Sequence, residues 1–180
     1  MMLAYLFVVL AVAIRVLAGT GTFATLGFTP VGASLLFFGA RTSGKNLWAP
    51  IALLIGSDIF LNYRVYHLPL TWDQMVVWAW YAVPCSLGFL MKDRVKPAYV
   101  VAGALSTSVS FFLVSNFAVW LAGYIPYEKS LSGLINCYVQ ALPFFRTGLE
   151  SDLAFSILFF GCGALVTHAL RGYKAKHATA

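Results

Sequence analysis

Long apolar runs separated by short polar links set the pattern of this chain. Six runs stand out: 2–18 (MLAYLFVVLAVAIRVLA), 23–40 (FATLGFTPVGASLLFFGA), 47–63 (LWAPIALLIGSDIFLNY), 74–91 (QMVVWAWYAVPCSLGFLM), 98–122 (AYVVAGALSTSVSFFLVSNFAVWLA) and 149–170 (LESDLAFSILFFGCGALVTHAL). Their apolar positions are continuous and do not alternate, which predicts helices and not barrel strands. Crossing ~30 Å of hydrocarbon at ~1.5 Å per residue takes about 20 residues. The first and third runs are short for that, and the second carries Pro30 and glycines, so tilted or irregular helices are expected. The longest link, 123–148, contains LSGLINCYVQAL at 131–142 ahead of Pro143, which predicts a short helix lying at the interface or dipping into the protein. No internal repeat, low-complexity tract or soluble segment divides the chain, so residues 1–180 read as one membrane domain.

Composition agrees with this pattern. The chain is 61% hydrophobic and 10% charged, with a mean hydropathy of +0.82, whereas a soluble domain is about a quarter charged. The reading is an all-α polytopic membrane protein with six transmembrane helices.

A net charge of +6 raises the question of a nucleic-acid partner, and its placement answers no. With six spans, Arg41, Lys45, Lys92, Arg94, Lys96, Arg171, Lys174 and Lys176 share one side of the membrane. Arg64, Lys129 and Arg146 lie on the other, with Arg15 inside the first span. The positive-inside rule then puts both termini in the cytoplasm of a bacterial inner membrane. Residues 1–18 lack the basic start of a cleaved leader and carry Arg15 within the apolar run, so they read as the first helix. Arg15 is expected to snorkel to the outer boundary.

This topology sorts the acidic groups. Asp58, Asp73, Glu128, Glu150 and Asp152 collect toward the outer half, and only Asp93 faces inward. Asn62, Arg64, His67, Asn116, Asn136, Gln140 and Arg146 join them, which predicts a water-filled hollow open to the outside. Asp58 and Asn62 are one helical turn apart and share a face, either toward that hollow or in a helix–helix hydrogen bond. Arg146 and Glu150 have i, i+4 spacing and can simply pair. Glu150 and Asp152 also stand in a first helical turn, where the helix dipole favours negative charge. Asn136 and Gln140 share a face of the 131–142 helix and can bind a ligand amide or cap neighbours. Trp72, Trp78, Trp80, Tyr81, Trp120, Tyr124 and Tyr127 read as an interfacial aromatic belt. Ala98, Ala102, Ser106 and Ser110 form a small-residue stripe on the fifth span, expected to serve internal packing ahead of a partner.

Catalytic and metal signatures are lacking. Cys85, Cys137 and Cys162 form no CxxC, and no histidines stand at zinc-like spacing. HExxH, GxSxG and phosphate-loop patterns are missing, so no cofactor is expected and an intramembrane enzyme is a distant alternative.

The blocks FTPVGA at 28–33, SDIFLN at 57–62, SNFAVWL at 115–121 and CYVQALPFFRTGLESDLAFS at 137–156 resemble an uncharacterised bacterial family of small six-span proteins assigned to transport. That family is similar to the S components of energy-coupling-factor transporters, which capture vitamins. The resemblance implies an S-component-like bundle with an outward pocket. The AxxxA stripe by which such helices dock on a coupling module is missing here, because Val8 follows Ala4 and Arg15 follows Ala11 at four residues. Solitary members of this group include cobalamin transporters, which implies cobalamin as the first choice of solute. On that resemblance Cys85 becomes a candidate cobalt ligand, with Asp73 and Tyr81 as corrinoid contacts. The expected function is capture of a small solute by Asp58, Asn62, Asn116, Asn136, Tyr138, Gln140, Arg146 and Asp152, followed by its passage through the lipid bilayer. The alternative is a non-transporting subunit that packs on a larger membrane complex.

Overall fold

The computed structural model describes residues 1–21 and 28–177, and among them every regular element is helical. The elements are α1 (Met2–Gly19), α2 (Val31–Arg41), α3 (Trp48–Leu61), α4 (Trp72–Trp80), α5 (Ala82–Met91), α6 (Pro97–Ala122) and α7 (Leu131–His177). A one-turn 3₁₀ segment, Gly44–Asn46, precedes α3, and a π-helical turn, Asn62–Tyr66, extends it. His67 ends that turn in the left-handed region at φ 53°. Among the described residues, four stretches are long and apolar enough to cross a bilayer: Met2–Gly19, Trp72–Met91, Pro97–Ala122 and, within α7, Leu131–Tyr173.

Local sequence explains the element ends. Pro84 has no N–H to offer the carbonyl of Trp80, and the run from Trp72 to Met91 breaks one turn earlier, at Tyr81. Pro97 opens α6, where a missing N–H costs nothing, and Gly123 stops it at φ 75°. Ser130 accepts a hydrogen bond from the Gly133 backbone N–H at 3.2 Å and so caps the start of α7.

Two expectations change. Residues 28–30 are not helical and α2 starts only after Pro30; residues 23–27 of the second expected span lie outside the described residues. At about 16 Å, by ~1.5 Å per residue, α2 is too short to cross a bilayer. Residues 131–142 do not form a separate interfacial helix either: they run through Pro143 into the sixth apolar run as one 47-residue helix. Pro143 is exposed, so its ring and missing hydrogen bond burden only the outer side of the helix.

The short α2 is the axis of the bundle. Its residues from Gly32 to Ala40 are all buried, as expected of a helix that is apolar all round. Gly39 of α2 lies against the Cys85 carbonyl of α5, and Gly88 of α5 lies against the Leu36 carbonyl of α2, so a Cβ at either position would collide with backbone. In lipid there is little hydrophobic drive between helices, and such close backbone approach supplies the packing. Around α2, Phe7 of α1 stacks on Phe159 of α7 at 4.1 Å between centroids and meets Phe37 at 5.1 Å. The α1 face carrying Ala4, Val8 and Ala11 is buried in this core. It therefore presents no docking stripe outward.

Tyr5 packs on Phe38 at 4.9 Å, Gly44 sits near Phe89, and Gly163 lies beside Phe37 and Arg41. The start of α1, the ends of α2 and α5 and the later part of α7 therefore share one end of the bundle. Toward the other end α6 and α7 run antiparallel as a hairpin. Lys129 donates to the carbonyls of Trp120 and Leu121, capping the α6 C-terminus with a positive charge.

Candidate functional site

The sequence-predicted polar residues separate into three places. The first is a closed cluster between α1, α3 and α4. Asp58 is 2% exposed and pairs with the Arg15 guanidinium, which does not snorkel. Trp78 Nε1 and Tyr81 Oη donate to Asp58 Oδ2 at 2.9 and 2.8 Å, and Arg15 donates to Tyr81 Oη at 2.9 Å. A carboxylate placed this deep needs an opposite charge and donors, and these three side chains supply them. Two members of the expected aromatic belt, Trp78 and Tyr81, are thereby turned inward. Trp80 is turned inward as well, donating to Ser110 at 3.0 Å. The Asp58 cluster knits helices together and lines neither cavity described below.

The second place is the exterior. Asn136, Gln140 and Arg146 lie on the exposed face of α7, and Arg146 pairs with Glu150 at 2.9 Å. Asn62 reaches Gln74 only at the outer hydrogen-bond limit, 3.5 Å. Asp73 opens α4 with one carboxylate oxygen buried and unbonded. Ala98, Ala102 and Ser106 of the small-residue stripe are exposed, so only Ser110 serves internal packing. Cys85 is 1% exposed in an apolar cluster with Leu35, Leu54, Trp80 and Tyr81.

The third place is a cleft between α6 and α7, with a volume of about 270 Å³. From α6 come Ser108, Phe111, Phe112, Ser115 and Asn116; from α7 come Ala141, Phe144, Phe145, Gly148, Leu149 and Asp152. Both sets repeat at three and four residues, so each is one helix face turned to the other. Where two such faces carry Ser, Ala and Gly opposite one another, the helices leave a gap; the phenylalanines wall it. Asn116 anchors its amide on the Phe112 carbonyl at 2.8 Å, and its own carbonyl accepts the Cys137 thiol at 3.5 Å. Tyr138 donates to Leu113 O at 2.8 Å and stands 5.3 Å from the Phe112 ring, beside the cleft and not in it.

Asp152 closes the inner end of the cleft. Ser108 donates to its Oδ2 at 2.7 Å and the Ala33 backbone N–H donates to the same carboxylate. Ala33 is in the first turn of α2, whose own N-cap is Pro30 with no side-chain cap. Asp152 thus caps α2 from another helix, where the dipole favours its charge. Gly32 leaves room for it, since a Cβ there would run into Asp152 and Thr107. Just inside, Thr107 and Ser156 are 0% and 1% exposed, and their hydroxyls have no hydrogen-bond partner.

Of the sequence candidates, Asn116 and Asp152 meet here. Ser108, Ser115 and the four phenylalanines were missed, although their matched spacing on two successive apolar runs is a readable signal. A second hollow of about 520 Å³ is lined by Tyr63, Arg64, His67, Leu68 and Pro69. All five come from one short stretch, so a ligand there would touch a single link.

Comparison with known proteins adds one finding. The chain belongs to the DUF6580 family. This is a family of unknown function, and its model matches residues 1–175. No curated protein and no solved structure matches the chain. The DUF6580 match shows no link to energy-coupling-factor S components or to vitamin transport.

Proposed function

We propose that this DUF6580 protein is a membrane transport protein that captures a small solute in the α6/α7 cleft and passes it through the bundle. In this reading the six apolar runs cross a bacterial inner membrane with both termini cytoplasmic, α2 being only part of the second crossing, and the cleft opens outward. The observation that carries it is the buried carboxylate of Asp152 at the floor of a cleft lined by aromatic and small polar residues. Small-molecule sites commonly have this makeup, mostly apolar walls with a few converging polar groups. Cobalamin is the weaker choice of solute. The cleft volume lies near the low end of small-molecule sites, about 300–1,000 Å³, far below a corrinoid, and Cys85 is packed against Gly39 away from it. A coupling module docking on α1 has no exposed stripe to use.

One observation favours the alternative of a subunit in a larger membrane complex: the exposed Ala98, Ala102 and Ser106 on α6. The deciding experiment is mass spectrometry of small molecules retained by gently purified protein, repeated on Gly148→Trp, which fills the cleft. A transporter retains a defined solute that the variant loses. Stoichiometric co-purification of a second membrane protein with no retained solute would sink the proposal.

A further inference from the structure

Resting on the proposed cleft as a capture site, its chemistry points to a class of solute. Asp152 is the one ionisable side chain among the described lining residues. The nearest cation by sequence, Arg146, is on the exposed face with Glu150, and Arg15, buried in the bundle, is held by Asp58. A carboxylate has about four acceptor positions, and Asp152 receives one hydroxyl and one backbone N–H. Acceptor capacity therefore remains. Beside it, Phe112 and Phe145 present a ring pair with centroids 4.6 Å apart, and Phe111 and Phe144 complete the wall. Aromatic faces attract cations, more strongly when water is excluded. An anionic solute would meet like charge and no basic side chain.

We infer that the solute is a compact organic cation bearing a flat ring, its positive end on Asp152 and its plane against the Phe112–Phe145 pair.

The test uses the full chain in lipid nanodiscs and one ring in three charge states: tryptamine, indole-3-ethanol and indole-3-acetate. Calorimetry should show tryptamine binding at least tenfold more tightly than the neutral alcohol, with no binding of the acid. Asp152→Asn keeps an oxygen for the Ala33 N–H and should abolish the tenfold preference. The charge series on the unmodified chain decides the question even if that variant does not fold. Equal or tighter binding of the alcohol or acid overturns the cation assignment and leaves the capture reading standing. So does a retained solute that is neutral or anionic and is lost in Gly148→Trp. Retention unaffected by Gly148→Trp, with no indole bound, overturns the cleft itself.

Discussion

Asp58 of α3 and Arg15 of α1 form an ion pair inside the bundle, and Tyr81, at the break between α4 and α5, hydrogen-bonds to both. Three separate apolar runs are tied at one point by charge. The consequence is structural: this acid belongs to the fold before it belongs to any ligand.

Breaking that tie from one side should be costly. Asp58→Leu leaves the guanidinium without its counter-ion, and removing one partner of a buried pair costs about 3–5 kcal/mol. The thermal unfolding temperature in detergent should fall sharply for Asp58→Leu and recover in part when Arg15→Leu is added to it. Losses that simply add in the double variant would show that the pair contributes nothing.

The α2/α5 crossing makes a sharper steric forecast. Gly39→Ala and Gly88→Ala push a methyl group into a facing carbonyl, and overpacking of this kind costs about 1–3 kcal/mol or more. Gly56 on α3 has open space around its Cβ position, so Gly56→Ala should be neutral or stabilising by up to about 1 kcal/mol. Melting temperatures of the three variants side by side are the measurement, and equal values would refute the crossing.

Gly32 should matter through Asp152. Gly32→Ala displaces the carboxylate that caps α2, and loss of a cap costs about 0.5–2 kcal/mol. Hydrogen exchange should rise first at the α2 N-terminus in Gly32→Ala. Unchanged protection there would mean that Asp152 does not hold that end.

Topology is open to direct labelling. On a background with Cys85, Cys137 and Cys162 replaced by alanine, Glu128→Cys should react with an impermeant thiol reagent in intact cells, and Arg94→Cys should react only after lysis. The opposite pattern would invert the proposed orientation.

The exposed stripe separates the two functional readings. Ala102→Leu and Ser106→Leu should leave the unfolding free energy within about 0.5 kcal/mol of the parent, as for other surface changes. Solute retention should also persist. Loss of a co-purifying partner instead would favour the subunit reading.

Much of the fold is legible in the run lengths and their punctuation. Pro84 marks the α4/α5 break, Pro97 and Gly123 bound α6, and the apolar stretches locate the helices, because these are local effects of backbone geometry and hydration. The site was less legible. Asn116 and Asp152 were drawn together by their level in the membrane, yet Asp58 and Tyr81 shared that level and went to a different cluster. Depth along a helix follows from sequence position; the neighbour across it does not.

By itself, then, the sequence determined that the described chain is helical, with helices long and apolar enough to cross a membrane, and where most of them lie, because each residue's transfer into lipid and each helix end is decided locally. Only the tertiary structure decided that Arg15 pairs with Asp58, that Asp152 caps α2 and floors a cleft, and that α2 is the enclosed axis. Those outcomes depend on which helix faces meet, and on Gly32, Gly39 and Gly88 letting them approach, which no single stretch of chain encodes.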